Sequence, residues 1–127
     1  MSEKKPDAMA ADRALELYWI AAREGRLLMK QCRGCGKRHY YPRPICPFCM
    51  SDDTEWLEAS GDGTIYSWSV ERRGTPPYAI AFVALPEGPT LLTNIVDCDL
   101  DALAIGQQVK LAFETRDDQP VPVFRPI

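Results

Sequence analysis

Apolar residues change their spacing once along this chain, and the change divides it. Ala11, Ala14, Leu15, Tyr18, Trp19 and Ala22 recur at steps of three and four, which places one apolar stripe on a helix from about Asp12 to Glu24. Gly25 is placed to end it. The polar, small and proline-containing residues 1–10 are expected as a loose tail. The aromatic stripe must pack on its own chain or on another subunit. Leu27, Leu28 and Met29 then make a short extended lead. Further on the spacing becomes alternating, as in Ile65, Ser67 and Ser69 against Tyr66, Trp68 and Val70. Strands are expected at 55–60, 64–72, 78–85, 91–96 and 109–115. A last edge strand at 121–124 is kept short by Pro120, Pro122 and Pro126. One turn of helix, capped by an aspartate, is expected between Asp99 and Gly106. Short strands with a helical plug among the late ones predict a small closed barrel of the OB type, which leaves no open sheet edge. The chain is thus expected to be mainly β: a tail over 1–10, a helical segment over 11–28, a ribbon over 29–53 and a five- to six-stranded barrel over 54–127.

The ribbon is read from cysteines. Cys32-Arg33-Gly34-Cys35 and Cys46-Pro47-Phe48-Cys49 are two matched pairs. Two intervening residues let a tight turn aim both sulfurs inward, and four sulfurs fill the tetrahedral shell of a structural zinc ion. A closed site of that kind does no chemistry. Disulfides would need an oxidising compartment, and no apolar signal segment precedes the cysteines. Iron in the same four ligands, as in an electron carrier, is a competing reading that the spacing leaves open.

Charge changes the picture further. The 127 residues carry a formal net charge of −3, which argues against a dedicated nucleic-acid binder. Between Arg23 and Arg43, however, seven basic side chains face one acid, whereas residues 44–127 hold five basic and thirteen acidic ones. A basic ribbon on an acidic body is expected, suited to a phosphate-bearing ligand or an acidic partner. No stretch approaches the roughly 20 apolar residues that span a bilayer, so a cytoplasmic protein is expected.

Little supports catalysis by this chain alone. His39 is the only histidine and lies beside Lys37 and Arg38 in the ribbon loop, where such a residue faces solvent or packs. Cys98 sits between Asp97 and Asp99, whose charges disfavour a thiolate, and reads as a small filler. The carboxylates are scattered and no glycine-rich phosphate loop occurs. The segment Arg72-Arg73-Gly74-Thr75-Pro76-Pro77-Tyr78 joins two strands and offers two guanidiniums for an anion, or is simply a solvated loop.

Several of these features occur together in one family. The helix ending near Gly25, the knuckles Cys32/Cys35 and Cys46/Cys49, Trp56, the run Ser60-Gly61-Asp62-Gly63-Thr64-Ile65-Tyr66-Ser67, Pro77-Tyr78 and Ile105-Gly106-Gln107-Gln108-Val109 resemble the "domain of unknown function 35" family over residues 12–127. Met50 departs from it, standing where a glycine often follows the second knuckle. The resemblance implies a rubredoxin-like zinc ribbon joined to an OB-fold barrel, associated with acyl-CoA. It implies a non-catalytic partner of a thiolase-like enzyme, either a thiolase or a lipid-transfer-type retro-aldolase of steroid side-chain degradation. Under it, Arg72, Arg73, Lys37 and Arg38 become candidate contacts for the phosphates of coenzyme A, the barrel walls part of the acyl or pantetheine tunnel, and the helix carrying Tyr18 and Trp19 docks on the partner. The rival readings are a single-stranded nucleic-acid module and a rubredoxin-like electron carrier.

Overall fold

A computed structural model describes residues 6–127, with side chains from Leu15 onward. Residues 1–5 of the expected tail, and the side chains of Ala11 and Ala14, lie outside the described residues. The chain divides into two compact units, one up to Glu58 and one from Ala59.

In the first unit, helix α1 spans Pro6–Arg23. It begins six residues before the expected Asp12, inside the stretch assigned to the tail. Proline costs no hydrogen bond in a first helical turn, and the alanines after it favour helix. The helix ends as Gly25 predicts. Gly25 takes φ 81°, its N–H bonds to the Ala22 carbonyl, and the Arg26 N–H reaches back to the Ala21 carbonyl. Strands β1 (Leu28–Cys32), β2 (Arg38–His39) and β3 (Thr54–Glu58) form an antiparallel sheet in the order β2-β1-β3. Here the sequence expectation is corrected. The strand around Glu55 was assigned to the barrel, yet it pairs with β1 from Leu28↔Glu58 to Cys32↔Thr54. Alternation shows that a segment is extended but not which strand it joins. Tyr18, Ala21 and Ala22 on α1 are buried, as are Leu27 and Met29 beside them in sequence.

The second unit is a closed barrel of five strands. These are β4 (Asp62–Glu71), β5 (Tyr78–Ala84), β6 (Thr90–Ile95), β7 (Gln108–Arg116) and β8 (Gln119–Pro126), in the order β4-β5-β6-β8-β7, with β7 returning to β4. Ile65, Ala79, Ala81, Val83, Leu91, Ile95, Val109, Val123 and Phe124 fill it. Gly63 is needed for that filling, because a Cβ there would lie 2.4 Å from Val83 Cγ1.

β8 is the second correction, since it is eight residues long rather than a short edge. It pairs with β7 from Arg116↔Gln119 to Val109↔Pro126. Prolines occupy alternate positions, and alternate residues of a strand turn their N–H groups to opposite sides. The Ile127 N–H points to the Gln108 carbonyl on the β7 side, whereas the Phe124 carbonyl accepts from Val96 on the other. The missing N–H groups of Pro120, Pro122 and Pro126 therefore face away from β7, and the ladder survives. On that far side Phe124 alone keeps its donor, and Phe124 is the residue that bridges Ile95 of β6. The Thr93 hydroxyl donates to the Pro122 carbonyl at 2.9 Å across the rest of the seam. The expected helix between Asp99 and Gly106 is instead a turn, closed by the Ala102 N–H on the Asp99 carbonyl and the Asp101 N–H on Asp99 Oδ1. Such local acceptors compete with a helix.

Candidate functional site

The two knuckles are built alike. Cys32 begins one and Cys46 the other, fourteen residues apart, and each is buried while Cys35 and Cys49 are exposed. The Cys32 N–H bonds to the Lys37 carbonyl, and its carbonyl accepts from Gly36. Likewise the Cys46 N–H bonds to the Ser51 carbonyl, and its carbonyl accepts from Met50. The residue after each second cysteine is left-handed, with φ 79° at Gly36 and 68° at Met50. Met50 thus occupies a glycine position and carries the associated strain.

Four cysteine sulfurs converge within 4.8 Å of one another. Cys32 Sγ lies 3.6 Å from Cys49 Sγ, and Cys35 Sγ 3.7 Å from Cys46 Sγ. A tetrahedron with Zn–S bonds of about 2.3 Å has edges of about 3.8 Å, so the spacing fits. The Gly34 and Cys35 N–H groups point at Cys32 Sγ, and the Phe48 N–H at Cys46 Sγ. Those donors favour thiolates. The Cys35 N–H leads in holding the Cys32 thiol down to about 7, against the opposing effect of burial. Cys49 is pushed up to about 12: its bond from Ser51 lowers it, but the hydrogen bonds it makes to the other three sulfurs outweigh that. Four thiolates this close need a cation between them, and Zn2+ supplies it as a structural ion.

His39 is buried rather than exposed, and neither ring nitrogen has a hydrogen-bond partner among the described residues. Burial, then the charge of Lys30, lowers its pKa. Cys98 gives its S–H to the Ile95 carbonyl, and burial followed by Asp99 and Asp97 raises its pKa. Neither is an activated nucleophile or base.

The charge pattern changes once the ribbon includes β3. Arg33 pairs with Asp53 and Glu55, and Arg26 with Glu24 and Glu58, so acids counted with the barrel neutralise ribbon cations. Lys30 lies over the Trp56 ring and Lys37 over Phe48. Arg38 donates to Gln31 Oε1 at 3.4 Å. Arg72 and Arg73 lie in the β4–β5 loop as expected, with Arg72 joined to Asp101 at 2.8 Å. The four candidate cations are thus divided between the two units, two on each. Tyr18 is not available to a partner. It is 2% exposed, and its hydroxyl lies 2.6 Å from that of Tyr40.

Sequence reasoning missed a cleft of about 540 Å3 in the barrel, lined in part by Thr75, Tyr78, Asn94, Glu114 and Arg116. Its residues come from three distant segments, and no motif announces it. The pair Glu114 and Arg116, two apart on one strand and so on one face, was the available signal. Among the described residues, no helix is long and apolar enough to cross a membrane.

Residues 19–55 match the rubredoxin-like zinc ribbon domain of ChsH2, and residues 56–114 its C-terminal OB-fold domain. A probable enoyl-CoA hydratase alpha subunit from Thermomonospora curvata is 36% identical over 98% of this chain, which spans 42% of that relative's length. A DUF35 domain-containing scaffold protein from Methanothermobacter thermautotrophicus is 39% identical over 65% of this chain and 68% of its own. Among solved structures, a chain of the Ltp2-ChsH2(DUF35) aldolase is 36% identical, with a TM-score of 0.75 over 90% of this chain and 94% of that one.

Proposed function

Since the chain belongs to the domain of unknown function 35 family, with its rubredoxin-like zinc ribbon and OB-fold, we propose that it is a non-catalytic accessory subunit of a thiolase-like enzyme acting on an acyl-CoA. The observation that carries this reading is the likeness, over nearly the whole of both chains, to a component of an aldolase assembled from two proteins. The partner supplies the chemistry, either thiolysis or retro-aldol cleavage, and a steroid side chain is the substrate class expected for the second. The described residues agree with a supporting role. They hold a closed sulfur site, a histidine buried away from solvent and a cysteine whose thiolate is disfavoured.

Zinc contributes rigidity here. The chain's residues bind and orient: Arg72 and Arg73 on the barrel, or Lys37 and Arg38 on the ribbon, offer a pair of cations to the phosphates of the CoA ester. Arg72 would leave an exposed pair with Asp101 to do so, a small loss. With Tyr18 buried, the exposed Leu17 and Ile20 and the half-buried Trp19 are apolar groups that the described side chains of α1 offer a partner. Phe82 and Leu92, cross-strand neighbours that are both exposed, offer another such surface.

Co-expression with a thiolase-like enzyme of the same organism, followed by size-exclusion chromatography and assay, tests the reading. Co-elution and a gain of activity over the enzyme alone are expected. Full activity without this chain, together with separate elution, would sink it.

A further inference from the structure

The cleft in the barrel has a polar group of side chains at its edge that the fold itself only half uses. Arg116 Nε and Nη2 both donate to Glu114 Oε1, at 2.9 and 2.7 Å, and Nη2 also donates to Asn94 Oδ1 at 3.0 Å. The Asn94 Nδ2 in turn donates to the Ala79 carbonyl at 2.9 Å, which fixes the direction in which that amide points. The guanidinium is therefore held on two sides, by the Glu114 carboxylate and by an Asn94 amide that is itself anchored. Arg116 Nη1 and Glu114 Oε2 have no hydrogen-bond partner among the described residues. One donor nitrogen, bearing two N–H groups, and one acceptor oxygen are left over, at the edge of a cleft whose lining is mostly apolar and includes Pro76 and the half-exposed Tyr78. Its volume, about 540 Å3, is that of a small-molecule site.

Charge selects the ligand. A phosphate reaching Arg116 would meet the Glu114 carboxylate beside it, and the repulsion would cancel much of the gain. A neutral planar group has no such conflict. It accepts from Nη1, donates to Oε2, and lays its face on Pro76 and the Tyr78 ring. We propose that this cleft binds a neutral planar group carrying both a hydrogen-bond donor and an acceptor, the chemistry shared by a purine base and an amide. The assignment deepens the acyl-CoA reading and rests on it for the source, because an acyl-CoA carries an adenine at one end and two amides along its arm. The β4–β5 loop, which bears Arg72 and Arg73 at its start, also supplies Thr75 and Pro76 to the cleft. One loop thus serves cations for phosphates and an apolar wall for an uncharged group.

The test is a titration of the 15N-labelled full chain with adenosine and, separately, with pantetheine. One of them is expected to shift the Asn94 side-chain amide and the Arg116 Nε–H saturably, and which one does so identifies the source. Arg116→Ala and Glu114→Ala should each weaken that binding at least tenfold while leaving the zinc content unchanged. Should either variant fail to fold, the ligand can be altered instead. N6,N6-dimethyladenosine, or N-methylated pantetheine, lacks the donor and should bind the unaltered chain at least tenfold more weakly. Absence of shifts with both fragments, an unchanged Kd in a folded Arg116→Ala chain, or displacement of the fragment by inorganic phosphate would overturn the proposal. Co-elution with a thiolase-like enzyme without fragment binding removes the cleft and leaves the accessory role standing. Fragment binding without co-elution does the reverse.

Discussion

Among the described residues, the largest fully buried side chains of the ribbon unit are Leu27, Met29 and two sulfurs, Cys32 and Cys46, whereas those of the barrel are Phe124, Ile65, Val83, Val109 and Val123. The two halves of the chain reach order by different routes. A unit ending at Glu58 is of a size at which an apolar core alone supplies little stability, and a metal adds to it. The barrel unit, also small, closes its sheet and interdigitates its side chains. Both units expose apolar residues, Phe48 and Met50 on the ribbon and Phe82 and Leu92 on the barrel, so exposure does not separate them. The barrel cannot tolerate one extra methyl at Gly63.

This contrast is broken most severely by removing the metal. Structural zinc in such small sites contributes about 10–16 kcal/mol at neutral pH. Chelation, or Cys46→Ala, should therefore collapse the amide resonances of β1–β3 while those of β4–β8 keep their dispersion. Loss of barrel dispersion in the same spectrum would show that the units do not stand apart. The converse perturbation is Gly63→Ala. Crowding against Val83 and Phe124 should cost about 1–3 kcal/mol in denaturant unfolding of the barrel, with zinc stoichiometry unaffected.

A smaller effect sharpens the comparison within the ribbon. Gly36 and Met50 hold equivalent left-handed positions, so Gly36→Ala should destabilise and Met50→Gly should stabilise, each by about 1 kcal/mol. Equal melting temperatures across both variants would contradict the equivalence of the knuckles. The smallest effect is on pH. Burial and the charge of Lys30 hold the pKa of His39 below its ordinary value, so the unfolded chain binds the proton more readily. The resulting stability is fully present above the ordinary value of about 6.5 and is lost as pH falls below it. His39→Phe, measured with zinc in excess, should flatten that decline relative to the unaltered chain.

The sequence was most legible where chemistry is local. A Cys-x-x-Cys pair specifies its own turn, and Gly25 its own helix end, so both are found where expected. Barrel strands also fall within two or three residues of the expected bounds at most ends, because alternation reports a half-buried strand directly. What failed were judgements about partners. Nothing local in Thr54–Glu58 says that it completes the ribbon sheet, and moving it there carried two acids, Glu55 and Glu58, out of the supposed acidic body. The prolines of β8 were counted as strand breakers, although their parity matters more than their number. Tyr18 looked like a docking residue until Tyr40 was placed opposite it. Asn94, Glu114 and Arg116 lie on two strands that are not neighbours in the sheet, and only the closed barrel brings them together.

That parity has a kinetic side. Along the seam between β6 and β8 the backbone is joined at Ile95↔Phe124, and beyond it the closure depends on the hydroxyl of Thr93. With so few bonds to break there, the barrel should open at this seam before it unfolds elsewhere, and amide exchange should be quickest on the side of β6 that faces the prolines. A sheet whose last strand carries three prolines on one side has thus fixed in its sequence not only where it closes but also where it first lets water in.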